Sequence, residues 1–297
     1  MILETQIFLK AKHLGFGAAG IAKSGPSNGY NSYLDWLSDG NAAEMVYLKK
    51  HALIRANPDL IAPRVKSIIA VGAGYPVNTA LGKGFSSYAR GKDYHEILRT
   101  KLKSLTGFIK EKSELSLARI CIDSAPLLER EWAIRAGLGW RGRQGQVINP
   151  NLGACFVLGF LLVDLKLTPS PVLTDRCGDC RKCIEACPAE AINTKHEVDA
   201  RKCISYMTIE HKGKIPKDFA AKMKGSLFGC DFCTAVCPWN EQKQRTVMPE
   251  FAEEQPLPTP GECMEMSETD FKRRFTGSAV YRSGLTRLKR NAAIALG

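Results

Sequence analysis

Eight cysteines lie in one short segment of this 297-residue chain, and their spacing constrains the fold more than any other feature. The first four form C-x2-C-x2-C-x3-C followed by a proline, and they are Cys177, Cys180, Cys183 and Cys187. In bacterial ferredoxins this run supplies three ligands to one [4Fe–4S] cluster and its fourth cysteine to a second cluster. A second run, from Cys230 to Pro238, repeats the end of the same pattern. The spacing therefore predicts a bacterial-type two-cluster ferredoxin domain.

The number of cysteines in this segment suits two clusters with four ligands each. Leu227 occupies the position that would complete the second run, so Cys203, which is left over, is expected to supply that ligand from a longer loop. The predicted ligands are Cys177, Cys180, Cys183 and Cys237 for cluster one, and Cys187, Cys203, Cys230 and Cys233 for cluster two. Structural zinc is the alternative, because paired C-x2-C motifs also form four-cysteine zinc sites. The strict spacing and the two Cys-Pro pairs favour iron–sulfur clusters.

The rest of the sequence has the features expected of a cytoplasmic protein that does not associate with a membrane. The longest uninterrupted apolar run, residues 155–163, is far shorter than the roughly 20 residues of a membrane-spanning helix. The N-terminus lacks the basic region and cleavage site of a signal peptide. In the cytoplasm thiols stay reduced, so clustered cysteines are expected to bind metal. The three cysteines outside the segment are predicted to be small buried apolar residues, and they are Cys121, Cys155 and Cys263.

Helix-like and strand-like patterns alternate in the first part of the chain. Apolar spacing predicts helices over 2–14, 93–112 and 126–137, and buried strands over 66–75, 117–122 and 154–164. This alternation predicts an α/β or α+β layered domain. The motif GFGAAG at 15–20 matches the dinucleotide fingerprint, which must follow a strand and open a helix. Here a helical segment precedes it and an extended one follows, so we do not expect a dinucleotide site.

Composition shifts divide the chain into three expected parts. These are an α/β domain over 1–168, a two-cluster ferredoxin-like domain over 169–245 and a basic C-terminal segment over 246–297. The proline-containing stretch 167–175 is the predicted linker into the cysteine segment. Residues 248–262 have an irregular pattern, and the final residues, RNAAIALG, resemble the start of a helix that could begin a helical repeat in a longer chain.

The formal charge of +12 is concentrated in two segments. One holds five lysines within 212–224, between the two cysteine runs. The other, residues 272–290, contains no acidic residue and seven cations, namely Lys272, Arg273, Arg274, Arg282, Arg287, Lys289 and Arg290. A basic run is usually only a solvated face. Two such runs in a strongly basic chain favour a nucleic-acid partner.

Several long motifs resemble those of the epoxyqueuosine reductase family. They are IRANPDL (54–60), YARGKDYH (88–95), DSAPLLER (123–130), AGLGWRGR (136–143), CGDCRKCIEACP (177–188), RKCISYMTIE (201–210) and FGCDFCTAVCPWN (228–240). The resemblance implies a cobalamin-dependent oxidoreductase with two [4Fe–4S] clusters. Such an enzyme reduces epoxyqueuosine to queuosine at the wobble position of tRNA, the last step of queuosine biosynthesis. It also implies an N-terminal domain similar to the nitroreductase-like fold of reductive dehalogenases.

The resemblance assigns expected roles to individual residues. Asp123 matches the family's catalytic proton donor, whereas its local context alone favours a helix cap before Pro126. The positions that match cobalamin contacts are Arg55, Ser86, Asp123, Val147, Leu158, Ser205, Cys233 and Thr234. Val147 and Leu158 would act through the backbone or by packing, and ordinary core residues are the alternative. Lys212 matches a tRNA contact and falls within the lysine segment.

Three other functions remain open at this point. A related corrinoid iron–sulfur reductase could act on a small substrate, although an export signal and no basic surface are then expected. A plain two-cluster electron carrier would leave the N-terminal domain without a task. A zinc-stabilised RNA-binding protein would leave the ferredoxin spacing unexplained. For the leading function we expect a monomer that receives electrons from a separate low-potential donor.

Overall fold

The computed structural model describes residues 1–77, 84–193, 195, 197–241, 246–253 and 255–297. The strands are β1 Ala18–Lys23, β2 Ser67–Gly74, β3 Gly84–Phe85, β4 Ala118–Cys121, β5 Trp140–Arg141, β6 Val147–Ile148, β7 Phe156–Val163 and β8 Ser226–Phe228. The helices of the N-terminal half are α1 Leu3–His13, α2 Tyr30–Ser38, α3 Val46–Lys50, α4 Tyr94–Lys112 and α5 Glu129–Arg135. Those of the C-terminal half are α6 Lys182–Glu185, α7 Ile204–Ile209, α8 Lys217–Ala220, α9 Phe232–Ala235, α10 Pro249–Ala252, α11 Pro260–Glu265, α12 Glu268–Phe275 and α13 Leu285–Leu296. The predicted domain boundary at residue 245 lies outside the described residues.

A four-stranded sheet with the order β1-β2-β7-β4 forms the centre of the N-terminal half. Every pairing in it is antiparallel, with Val71 opposite Gly159 on the two middle strands. The layered arrangement of helices and strands therefore agrees with the α+β form of the prediction and not with a parallel sheet. All eight residues of β2 are buried, because helices cover both faces of the sheet. This two-sided cover explains why β2 and β7 are continuous apolar runs rather than alternating ones.

Helices α1 and α4 cover one face of the sheet, and α5 covers the other. Along α4 the apolar side chains recur every three or four residues, which places them all on the buried face; they are Leu98, Leu102, Leu105 and Ile109. The side chain of Asp93 caps this helix by accepting a hydrogen bond from the backbone N–H of His95 (2.9 Å). This cap begins α4 at a fixed point and positions His95 on its first turn.

The GFGAAG motif leads into strand β1 and not into a helix, which confirms that it lacks the context of a dinucleotide site. Helix α5 begins at Glu129, three residues later than predicted, because residues 123–128 form an irregular turn. All three cysteines expected to be buried apolar residues are indeed buried, and they are Cys121, Cys155 and Cys263. Within the described ranges, no helix is both long enough and apolar enough to span a membrane.

The C-terminal region differs from the prediction at two points. The stretch 248–262 was expected to be irregular, but it contains α10 and the start of α11, where Thr259 and Glu262 form a capping box. Residues 290–296 lie within a twelve-residue helix, α13, that begins at Leu285, earlier than the predicted start. Asn291 on α13 is buried and donates hydrogen bonds to the carbonyl groups of Thr208 (3.0 Å) and Leu227 (2.8 Å). These two hydrogen bonds hold α13 against α7 and β8.

The N-terminal half contacts the cysteine segment at several points, and two of these contacts lie beside the second cysteine run. Strand β3 pairs in parallel with β8, which immediately precedes Cys230. Next to β3, both oxygens of the Asp231 carboxylate accept hydrogen bonds from the side chains of Ser86 and Ser87. The two parts of the chain therefore meet beside the second cysteine run.

Candidate active site and cluster cavity

Asp123 lies just beyond the end of β4, on a turn that holds its side chain open to solvent. Its backbone has the left-handed conformation, with φ of 48°, which is uncommon for a residue other than glycine. Its backbone N–H donates a hydrogen bond to Glu129 Oε1 (2.6 Å), and 45% of its side-chain surface is exposed. The residue that caps helix α5 is Leu128. The helix-cap alternative for Asp123 is therefore wrong, and its carboxylate lies partly exposed beside His95.

His95 links the Asp123 carboxylate to Asp93. Its Nε2 atom lies 3.4 Å from Asp123 Oδ2, and its Nδ1 atom lies 2.7 Å from Asp93 Oδ1. Burial alone would lower the pKa of His95, but the hydrogen bonds to these two carboxylates raise it to about 9. In return, the hydrogen bond from His95 is the main cause that holds the pKa of Asp123 below its ordinary value. At neutral pH the pair is an imidazolium next to a carboxylate, and its proton lies mainly on His95.

Glu129 and Arg130 complete the polar surroundings of Asp123. Burial, and then the negative charge of Asp123, raise the pKa of Glu129 to about 8, so this group is mostly neutral at pH 7. Desolvation by the surrounding protein atoms, and then the nearby charge of Arg141, lower the pKa of Arg130. The charge of Arg130 also acts on Cys203, a predicted ligand of cluster two.

The sequence motifs contained His95, Glu129 and Arg130, but nothing in their spacing distinguished them. Only the short D-x-H spacing suggested that Asp93 and His95 interact. The start of α4 brings the two side chains together, because Asp93 is its N-cap and His95 lies in its first turn. Arg282, from the basic C-terminal segment, also reaches Asp123. Its Nη1 atom lies 3.6 Å from Asp123 Oδ2, and its other terminal nitrogen donates to Glu210.

Arg55 is the predicted cobalamin contact that has a buried hydrogen-bond donor available for a ligand. It lies on a 3₁₀ helix, is only 9% exposed, and its Nε atom donates to the Tyr33 hydroxyl (3.2 Å). Within the described part of the chain, its Nη1 atom is buried without a hydrogen-bond partner. An unpaired buried guanidinium nitrogen costs free energy, so it fits a site for a polar cofactor group. The charges of Arg55, Asp123 and Arg282 all act on Tyr47, which places the three around one region.

The other predicted cobalamin positions lie on several elements. Val147 on β6 is buried, and Leu158 on β7 is half-buried, in the core between α5 and the sheet. Ser205 lies in the first turn of α7, whose N-cap residue is Cys203. Cys233 and Thr234 lie on α9, next to the Asp231 carboxylate that accepts from Ser86. Ser86 is thus engaged with the cysteine segment through its hydroxyl, which makes it a structural link whether or not it touches a cofactor.

The structure brings the predicted cluster-one cysteines together around one cavity of about 360 Å³. All four of them line it, together with Trp239 and residues of the β5–β6 hairpin; they are Cys177, Cys180, Cys183 and Cys237. Burial, with contributions from the other three sulfurs, raises the pKa of Cys237 to about 11. Four thiols around a cavity of this size form a donor set that suits a [4Fe–4S] cluster.

The predicted cluster-two cysteines form a second group. Burial raises the pKa of Cys233 well above its ordinary value, and the charges of its neighbours add to the effect; those neighbours are Cys230, Cys203, Cys187 and Cys183. Cys183 belongs to the first group, so the two groups adjoin each other. Among the described residues, no three His, Cys, Asp or Glu side chains converge as the ligands of a single metal ion do.

The two basic segments meet on one surface. Lys212 and Lys214 are exposed on the loop that follows α7. Arg290 on α13 donates to the backbone carbonyl groups of His211 (2.7 Å) and Gly213 (2.8 Å), on either side of Lys212. The guanidinium of Arg290 is therefore used to dock the C-terminal helix, as is that of Arg287, which donates to the carbonyl group of Glu210 (3.3 Å). Not every cation of the C-terminal run is available to a partner.

Comparisons with known proteins agree with this arrangement. Residues 176–240 match the family model "4Fe-4S double cluster binding domain", and residues 55–124 match "Epoxyqueuosine reductase QueG, DUF1730". The chain is 38% identical to the epoxyqueuosine reductase of Escherichia coli strain K12, covering 96% of this chain and 78% of that protein. It is also 38% identical to that of Alicycliphilus denitrificans, covering 97% of this chain and 84% of that protein.

Solved structures give the same result. The structure of epoxyqueuosine reductase from Streptococcus thermophilus superposes with a TM-score of 0.88 at 28% identity, covering all of this chain (100%) and 81% of that one. An epoxyqueuosine reductase with an epoxyqueuosine-modified tRNA-Tyr stem loop superposes with a TM-score of 0.89 at 29% identity, covering 99% of this chain and 80% of that one. Because the similarity extends over nearly the whole chain and most of each relative, this chain is a member of the epoxyqueuosine reductase family.

Proposed function

We propose that this chain reduces epoxyqueuosine to queuosine in the anticodon stem-loop of tRNA. The observation that carries the proposal is the superposition, over 99% of the chain, on an epoxyqueuosine reductase with an epoxyqueuosine-modified tRNA stem loop. Converting an epoxide into an alkene removes one oxygen as water and consumes two electrons and two protons. The chain must therefore position the epoxide, exclude competing water and deliver a proton to the oxygen that leaves.

Asp123 and His95 are the proposed source of that proton. The carboxylate of Asp123 is partly exposed, and Nε2 of the His95 imidazolium lies 3.4 Å from it. As negative charge develops on the epoxide oxygen, a proton can pass from His95 through Asp123 to that oxygen. The hydrogen bond that His95 Nδ1–H donates to the Asp93 carboxylate holds the ring in the orientation that this transfer requires. Asp123 is then the catalytic residue, and His95 is a positioning residue that stores the proton.

The cofactors in this proposal are one cobalamin and two [4Fe–4S] clusters. When bound, they supply the reductive chemistry at cobalt and a route for single electrons. The unpaired Nη1 atom of Arg55 and the exposed carboxylate of Asp123 support a cobalamin site in this region. The remaining proposed cobalamin contacts are Ser86, Val147, Leu158, Ser205, Cys233 and Thr234.

The parts of the chain take proposed roles that follow from this placement. Residues 1–168, with a nitroreductase-like fold, hold cobalamin and substrate; residues 169–245 hold the clusters; and the basic segment 246–297 contributes to tRNA binding. Lys212 contacts the tRNA backbone in this proposal. The chain acts as a monomer and receives electrons from a separate low-potential donor.

The decisive experiment is an assay with epoxyqueuosine-containing tRNA, cobalamin and a reductant under anaerobic conditions, with the nucleosides analysed by mass spectrometry. We expect conversion to queuosine by the wild-type chain and none by Asp123→Asn, which should keep its iron and cobalamin. Asp35→Asn, an exposed position on α2, is the matched control and should be as active as the wild type. Full turnover by Asp123→Asn would remove that residue from catalysis. A loaded wild-type chain that leaves the tRNA unchanged would favour a small-molecule substrate instead.

A further inference from the structure

The hairpin formed by β5 and β6 covers the cluster-one cavity and carries two buried polar groups without partners. Trp140 begins the hairpin and Gln144 lies in its turn, and each side chain is only 2% exposed. In the part of the chain that the structure describes, neither the indole nitrogen of Trp140 nor either amide atom of Gln144 has a hydrogen-bond partner. A buried donor without an acceptor costs free energy, so both groups fit an acceptor from outside the polypeptide.

Trp140 packs in one small cluster with Cys237, and Cys177 packs against the same cluster. The Trp140 ring is held by Trp239, which packs edge-on against it with ring centroids 4.8 Å apart. The hairpin is also tied to the cysteine loop, since the Arg143 guanidinium donates to the carbonyl group of Gly178.

Gln144 extends its amide into the wall of the same cavity, beside the four predicted cluster-one cysteines. Gly142 makes room for it. A Cβ atom at position 142 would lie 2.3 Å from Gln144 Oε1 and 2.6 Å from a methyl carbon of Ile148, so any larger residue would push the amide away. The turn is closed by a hydrogen bond from the Gly142 N–H to the Gln146 carbonyl (2.8 Å). The backbone of this turn therefore holds the Gln144 amide in a buried position where, among the described residues, no protein atom forms a hydrogen bond with it.

We propose that Trp140 and Gln144 donate N–H···S hydrogen bonds to the sulfurs of cluster one and so raise its reduction potential. A cluster gains one negative charge when it is reduced, and donors to its sulfurs stabilise that charge. The same hairpin carries Val147, a proposed cobalamin contact. One hairpin would therefore contact both cluster one and cobalamin. This inference rests on the two-cluster part of the proposed function and adds which residues adjust the driving force for electron transfer.

The test is a redox titration of the iron-loaded chain, followed by electron paramagnetic resonance, on Trp140→Phe and Gln144→Met. Each variant replaces a hydrogen-bond donor by an apolar side chain of similar shape. We expect one of the two midpoint potentials to fall, with a loss of about tenfold in the equilibrium constant for reducing that cluster, or ~59 mV for one electron. The second midpoint should stay unchanged. Resonance Raman spectra should show altered Fe–S(Cys) stretching bands in the same variants.

Trp132→Phe is the matched control. Trp132 is also fully buried and, within the described residues, its indole nitrogen is also unpartnered, but it lies in the sheet core against Arg135. Unchanged midpoints in Trp140→Phe and Gln144→Met would overturn the inference, and so would an equal fall in Trp132→Phe. If Trp140→Phe fails to retain iron, Gln144→Met decides. These readouts require no tRNA, so a shifted midpoint in a chain that leaves epoxyqueuosine unchanged would contradict the proposed function alone.

Discussion

Replacing His95 by glutamine tests whether the Asp93–His95–Asp123 chain stores the catalytic proton. In the wild type, the pKa of His95 is raised to about 9, so the His95–Asp123 pair keeps its proton at pH 7. In His95→Gln the main cause that lowers the pKa of Asp123 is gone, and its carboxyl returns towards its ordinary value of 3.8. A carboxyl with that pKa is protonated in roughly one molecule in a thousand at pH 7. We therefore expect single-turnover reduction to slow about a thousandfold at pH 7.

The pH dependence separates a lost proton store from a damaged site. Below pH 7 the protonated fraction of an isolated carboxyl rises tenfold per pH unit, so the deficit of the variant should shrink to roughly fifteenfold at pH 5. The wild-type rate should stay level up to about pH 8 and then fall as the pair loses its proton near pH 9. Because the two groups titrate together, these values belong to the pair.

The assay is rapid-quench reduction of epoxyqueuosine-containing tRNA from pH 5 to pH 10, with iron and cobalamin content measured for every sample. His13→Gln, an exposed position at the end of α1, is the control and should follow the wild-type profile. A deficit of equal size at every pH would show that His95 acts only by shaping the site. A wild-type rate that is level beyond pH 10 would show that the proton comes from elsewhere.

Three further predictions concern the clusters, the basic surface and the C-terminal helix. Anaerobically reconstituted protein should contain about eight irons per chain and lose its broad visible absorbance on reduction with dithionite, whereas stoichiometric zinc would contradict the cluster assignment. Replacing Lys212 and Lys214 by alanine should weaken tRNA binding and reduce its salt dependence by about two charges, while the same change at Lys103 and Lys110, exposed on α4, should do neither. Arg290→Met should lower the free energy of unfolding by about 2 kcal/mol, measured by urea denaturation, because it leaves three backbone carbonyl groups without their donor; an unchanged midpoint would mean that packing alone holds α13.

The cysteine segment was predictable because its chemistry depends on spacing along the chain. Cysteines that lie two or three residues apart are local in the chain, so both runs could be recognised without a structure, whereas the assignment of Cys203 as a ligand stays a prediction. The helix over 93–112 and the strand over 66–75 were predictable for a similar reason, since each has a clear apolar pattern of its own. Local patterns were less informative in the C-terminal region. Tertiary contacts stabilise α13, and the capping box that begins α11 lies within a proline-rich stretch that looks irregular.

The sequence by itself determined the cofactor class, the mixed helix and strand composition and the family, because these depend on local spacing and on long specific motifs. Only the tertiary structure decided how distant groups act on one another. It brought His95 on α4 to within hydrogen-bonding reach of Asp123 beyond β4, and this contact changes which of the two holds the proton. It joined two separate basic runs into one surface through Arg290, and it buried Trp140 and Gln144 against cysteines more than thirty residues away. Electrostatic and hydrogen-bond energies depend on distances in space, and a linear pattern does not contain those distances.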